Sequence, residues 1–128
     1  MPDPLYPPDH HSYRLFIRVD RPLEIRIGAL GLFTFPAGDY VYVGSAKGKG
    51  RLASRLQRHL SPHKKLRWHI DYLLAQPGVN ILQVETSDRR ECPWNQATAG
   101  RILVPGFGAS DCRAGCGAHL KFLGHEAS

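Results

Sequence analysis

The residues best suited to chemistry lie between Tyr40 and His59, in "YVYVGSAKGKGRLASRLQRH". Two phenols alternate with valines, a Gly-Ser-Ala-Lys turn follows, and Arg51, Arg55, Arg58 and His59 recur at helical spacing. A guanidinium is a permanent cation whose planar donor fork fits phosphate oxygens, and a phenol or an imidazole can orient or move a proton. From Tyr40 to Ile70 there is no carboxylate, whereas Lys47, Lys49, Arg51, Arg55, Arg58, Lys64, Lys65, Arg67, His59, His63 and His69 all fall in that stretch. The whole chain carries +6 at pH 7. Such a pattern suits a polyanion, nucleic acid before an acidic membrane surface. Lys47, Lys49, Arg51, Arg58, Lys64, Lys65, Arg67 and His69 are the candidates for nucleic-acid contacts. The plainer reading is a solvated basic face without a partner.

Positioning these groups takes a strand, a turn and a helix. In "YVYVG" Tyr40, Tyr42 and Gly44 share one face and Val41 and Val43 the other, so the valines are expected to face the core and the phenols to be displayed. In "GRLASRLQRHL" Leu52, Leu56 and Leu60 form the stripe expected to be buried, beside a cationic stripe that includes His59. Upstream, "YRLFIRVD" reads as a strand with Leu15, Ile17 and Val19 on one face. "LEIRIGALGLFTFPAGDY" reads as short β-runs between turns. Downstream, "KKLRWHIDYLLAQPG" reads as a second helix burying Leu66, Ile70, Leu73 and Leu74, "VNILQVET" as a strand, and "ECPWNQATAGRILV" as a third helix with Pro93 in its first turn. The glycine-rich remainder is expected to be irregular, with a short strand around Leu120 to Leu123. The fold class is α/β of the α+β kind, a small and mostly antiparallel sheet flanked by helices.

Residues 1–12, with four prolines, read as a flexible N-terminal arm, and 13–128 as a single domain. No apolar run reaches the ~20 residues that span a bilayer, and the N-terminus lacks the basic-then-apolar order of a signal peptide. A cytoplasmic protein without a membrane partner is expected. Cys92, Cys112 and Cys116 are an odd number, which argues against a disulfide framework. Together with His119 they offer three thiolates and an imidazole, a set that can close a structural Zn²⁺ site. The plainer reading is three unlinked thiols. "GFGASDC" offers backbone N–H groups beside Ser110, in the manner of a phosphate-binding loop.

The order strand, Tyr42-Val43-Gly44, turn, then a helix with Arg55 and His59 in "RLQRH" resembles the core of the GIY-YIG nuclease superfamily. "KKLRWHIDYLL", "EC" and "GFGASDC" further resemble a small bacterial and archaeal branch of it. Tyr13, in "HSY", matches the tyrosine of the family's first motif better than Tyr40 does, because Tyr40 shares a strand with Tyr42. The resemblance implies a divalent-metal-dependent endonuclease acting on DNA rather than RNA, in repair or processing. It implies that Tyr13 and Tyr42 manage the attacking water, Arg55 grips the scissile phosphate, and His59 orients or relays a proton. Glu91 then carries Mg²⁺ or Mn²⁺. Two other readings stand beside it: a non-catalytic nucleic-acid-binding domain of the same descent, and a zinc-stabilised interaction module.

Overall fold

Alternating apolar residues set up the first strand. In β1 (Ser12–Val19) Tyr13, Leu15, Ile17 and Val19 are all buried, while the intervening Arg14, Phe16 and Arg18 are partly open. A computed structural model describes residues 9–46, 51–61, 66, 68–108 and 116–124 of the chain. Among these, β1 is followed by β2 (Leu23–Ile27), a single 3₁₀ turn at Gly28–Leu30, β3 (Gly31–Phe35) and β4 (Gly38–Ser45). Then come α1 (Arg51–Leu60), α2 (His69–Leu74), β5 (Val79–Ser87), α3 (Glu91–Ala97) and β6 (Leu120–Gly124). The main sheet has the order β5-β1-β4-β6, and β2 and β3 form a separate hairpin. Every pairing is antiparallel, so the α+β expectation holds.

The β1–β4 register is the part that matters for the site. Tyr13 stands opposite Gly44, Leu15 opposite Tyr42, and Ile17 opposite Tyr40. These residues share one face with Leu120 and Phe122 of β6, and α1 and α2 cover it with Leu52, Leu56, Ile70 and Leu73. The β2–β3 hairpin adds Ile25, Ile27 and Phe35, and the segment before β6 adds Val104 and Phe107. The phenols of β4 therefore lie in the main core, and are not displayed as their polar tips suggest. Val41 and Val43 are buried too, on the face where α3 packs against β4 and Trp94 is buried. A central strand covered on both sides has no display face.

The helices show two further departures. In α1 the buried positions are Leu52, Leu56 and His59, while Leu60 is 55% exposed. The reason is angular: at about 100° per residue, position 59 returns to within about 20° of Leu52 and position 60 overshoots by about 80°. His59 takes the place expected of Leu60. The second helix is only six residues long. Trp68 precedes it in an extended conformation, and its backbone N–H donates to the Asp71 carboxylate at 2.9 Å, which starts the helix there. Leu66 lies outside it and is half exposed. At the N-terminal end, residues 10 to 12 are tied to the sheet. The His11 N–H donates to the Ser87 carbonyl, the Ala46 N–H to that of His11, and Ser12 Oγ to that of Arg89. Residues 10 to 12, expected to belong to a flexible arm, are thus held by the sheet.

Candidate active site

Gly44 is the residue around which the site closes. It lies inside β4 and not in a turn, and a Cβ there would meet the Tyr13 phenol at 2.5 Å. Its missing side chain lets the Tyr13 ring cross to α1, where the hydroxyl and His59 Nε2 are 2.8 Å apart. With the imidazole proton on Nδ1, the phenol is the donor in that bond. Tyr42 lies beside the pair, its ring centre 6.4 Å from those of both Tyr13 and His59. Gly108, at φ +70°, allows a second close approach, since a Cβ there would stand 2.9 Å from the Tyr42 ring.

Ser45 ends β4 and joins the cation to the acid. Its backbone carbonyl accepts from the Arg55 guanidinium, and its Oγ donates to Glu91 Oε1 at 2.8 Å. The other Glu91 oxygen is 2.8 Å from His119 Nδ1, which also lies 3.2 Å from the Val43 carbonyl. Burial works to raise the Glu91 pKa. The hydrogen bonds from His119 and Ser45 and the charges of His119 and Arg55 outweigh it and hold the carboxyl below its ordinary value. The carboxylate is thus ionised, fixed in direction and still 27% exposed.

The two phenols titrate the opposite way. Burial pushes Tyr13 well up, the neighbouring Tyr42 and Glu91 add to the rise, and a hydrogen bond and charge from Arg55 oppose it. Tyr42 is raised by burial, then by Glu91 and Asp71, against Arg55. Both keep their protons at neutral pH. That both phenols respond to both Arg55 and Glu91 makes these four groups one electrostatic unit, and His59 joins it through its hydrogen bond to Tyr13.

Outside this unit is an open cleft of about 470 Å³ lined by Ser45, Ala46, Arg51, Ser54, Arg55, Arg58 and Trp68. The Arg55 and Arg58 guanidinium carbons lie 4.5 Å and 4.6 Å from the Trp68 ring centre. Arg58 also pairs with the wholly buried Asp71 at 2.8 Å. Among the described residues, three guanidiniums and no carboxylate line the cleft, so its lining is cationic.

The profile of a domain of unknown function, DUF123, matches residues 12–128, from the first residue of β1 onward. The chain belongs to the DUF123 family. No curated protein and no solved structure matches it.

Of the residues singled out in the DUF123 sequence, Tyr13, Tyr42, Arg55, His59 and Glu91 meet in one place, and Arg51 and Arg58 line the adjoining cleft. His69 does not line the cleft. Its Nδ1 accepts the Gly108 N–H at 2.9 Å, and its ring packs on Phe107. Lys47, Lys49, Lys64, Lys65 and Arg67 lie outside the described residues, as do Ser110 and Cys112. The "GFG" turn does not offer its donors to a ligand. The N–H groups of Gly106, Phe107 and Gly108 go to the Gly117 and Val104 carbonyls and to His69, and Phe107 is buried in the core. Cys92, Cys116 and His119 do come together, their donor atoms all within 4.8 Å of one another. Sequence reasoning missed Ser45, Ser54 and Asp71, and did not see Trp68 as the ring on which two guanidiniums lie. The one available signal was Asp71, the first carboxylate after thirty-one positions without one, which marks it as the partner of a nearby cation.

Proposed function

We propose that this DUF123 domain is a divalent-metal-dependent endonuclease of the GIY-YIG type, hydrolysing DNA phosphodiester bonds. The observation that carries the reading is the meeting of Tyr13, Tyr42, Arg55, His59 and Glu91, from two strands and two helices, at the inner edge of an arginine-lined cleft. In hydrolysis a water oxygen bonds to phosphorus, one P–O ester bond breaks, and the proton leaving the water is balanced by one taken up at the departing oxygen. Arg55 offers permanent positive charge to the non-bridging oxygens, where charge builds in the transition state. Tyr13 can accept the water's proton as it passes its own to His59 Nε2, a relay that avoids forming a buried phenolate with no acceptor. Arg58 and Arg51 hold the flanking backbone.

Glu91 fits a hard divalent ion: one ionised, oriented and partly exposed carboxylate is how Mg²⁺ is held while it keeps most of its waters. Bound there, Mg²⁺ or Mn²⁺ would supply positive charge and a more acidic water.

The test is nicking of supercoiled plasmid and of branched, damaged and single-stranded DNA, with Mg²⁺ or Mn²⁺ and with chelator. Metal-dependent cleavage lost in Glu91→Ala, with thermal unfolding still cooperative, is the expected result. Salt-sensitive DNA binding without cleavage of any substrate would leave a non-catalytic binding domain. No binding at low salt would remove both.

A further inference from the structure

Glu91 and Cys92 are consecutive, yet they lead to chemically opposite neighbourhoods. Glu91 is bonded to Ser45 and His119, oxygen and nitrogen partners at the edge of the phosphate cleft. Cys92 lies with Cys116 and His119, three donors within 4.8 Å of one another. His119 belongs to both groups. We propose that Cys92, Cys116 and His119 bind a thiophilic divalent ion, Zn²⁺ by their donor set, and that His119 transmits the orientation of that site to Glu91.

The donor chemistry selects the ion. Two sulfurs and an imidazole are soft and borderline ligands, suited to Zn²⁺ and poorly suited to Mg²⁺. Zn–S distances of about 2.3 Å and Zn–N distances of about 2.0 Å put tetrahedral donors roughly 3.5–3.8 Å apart, so the observed spacing needs to close by only about 1 Å. A Cys₂His set leaves the fourth position to a water. Binding replaces two thiol protons with the ion. Beside the cluster, Lys121 of β6 donates to the Asn95 and Thr98 carbonyls, the latter at 2.7 Å, and so joins β6 to the end of α3. Gln96 Nε2 lies 3.8 Å from Cys116 Sγ, within N–H···S reach.

The tautomer provides the coupling. His119 Nδ1 is engaged by the Glu91 carboxylate and the Val43 carbonyl, both acceptors, so the proton belongs on Nδ1 and the lone pair on Nε2. An ion on Nε2 would lock that tautomer and give the carboxylate–histidine–metal arrangement in which the outer carboxylate and the metal reinforce each other. The thiophilic ion would then fix the direction of the carboxylate that the proposed nuclease needs. It would also tie α3 to the start of β6.

The experiment uses the whole chain, purified without chelators and kept reduced, then stripped and titrated with Co²⁺ in the absence of Mg²⁺ and DNA. One equivalent should bind with thiolate-to-cobalt absorption and the visible bands of a tetrahedral site, and one equivalent of Zn²⁺ should displace it. Cys92→Ser and Cys116→Ser should each lower affinity at least 100-fold with the far-ultraviolet circular dichroism unchanged. Glu91→Gln should keep the same bands and weaken Co²⁺ about 10-fold, the scale of an outer-partner loss. Absence of thiolate–cobalt absorption in the unsubstituted protein, or a Cys92–Cys116 disulfide persisting under reduction, overturns the site. Unchanged affinity in Glu91→Gln overturns the coupling. Because the readout involves neither DNA nor magnesium, it stands or falls independently of nuclease activity.

Discussion

His59 and Arg55 are neighbours one helical turn apart on α1, yet they lie in opposite electrostatic regimes. His59 is 2% exposed and bonded to an equally buried phenol. Arg51, Arg55 and Arg58 line an open cleft. On the dry side a charge is expensive, so the Tyr13 phenol keeps its proton and is matched by a directional hydrogen bond. On the wet side charges are permanent, screened and individually weak. In the proposed nuclease the difference separates tasks: proton handling would belong to the interior and polyanion capture to the surface. Arg55 sits on the border, with its charge felt by Tyr13, Tyr42 and Glu91 and its planar group stacked on Trp68.

Breaking that border should have the largest effect. Arg55→Ala is expected to lower the single-turnover nicking rate by at least about 10²-fold, about 2.7 kcal/mol, the scale for removing one transition-state donor. Arg55→Lys keeps the charge and loses both the fork and the stack on Trp68, so it should recover binding more than rate. If lysine restores the full rate, the geometric role of the guanidinium is wrong.

Next in size is a stability effect on the buried side. Gly44→Ala puts a methyl 2.5 Å from the Tyr13 ring and is expected to lower unfolding free energy by about 1–3 kcal/mol, read from thermal or urea unfolding. Adding Tyr13→Leu removes the obstructing ring. The double variant should therefore be less destabilised than the sum of the single changes, a coupling expected of residues in contact. Strict additivity would mean that the ring does not depend on the missing Cβ.

That glycine also illustrates what the sequence made legible. The alternation in β1 and β4, the helix around Leu52 and Leu56 and the strand before Ser87 follow from period alone, and all are present. Tyr42, Arg55 and His59 stood out by type and spacing, whereas Tyr13 and Glu91 were expected only from the resemblance to the GIY-YIG superfamily. Gly44 was read as a turn residue because a sequence displays backbone freedom and conceals a neighbour's ring. Ser45 was missed because half of its role lies in its backbone carbonyl. His59 was expected on the surface because polarity was allowed to outweigh angle. Trp68 and Asp71 appear as a helix interior in sequence, but the Asp71 carboxylate both caps the helix and pairs with Arg58. In each case a long-range partner, invisible to local pattern, decided the outcome.

A smaller effect separates Glu91 from its surroundings by pH. Its carboxyl is held below the ordinary 4.5 in the folded state. The unfolded chain therefore takes up this proton first as pH falls. The resulting stabilisation is fully present above about pH 4.5 and is lost as pH drops through the folded value. Glu91→Gln removes the titration. The stability gap between the two proteins should be constant near neutrality and shrink on acidification, as followed by urea midpoints. A gap that widens in acid would mean that burial, and not the hydrogen bonds from Ser45 and His119, dominates at this carboxylate.

The smallest effect tests the open face alone. Arg51 is exposed at the start of α1, lines the cleft and lies about two helical turns before His59. Arg51→Ala should leave unfolding free energy within about 0.5 kcal/mol, as surface substitutions do. If Arg51 contacts a phosphate, its loss should weaken DNA binding about equally for all sequences. It should also reduce the slope of log affinity against log salt by about one. The rate at saturating DNA should be unchanged, since in the proposed nuclease Arg51 would contact backbone flanking the cut and not the reacting phosphate. A lower saturated rate with an unaltered salt slope would put Arg51 in the chemistry, and the division of tasks across α1 would have to be redrawn.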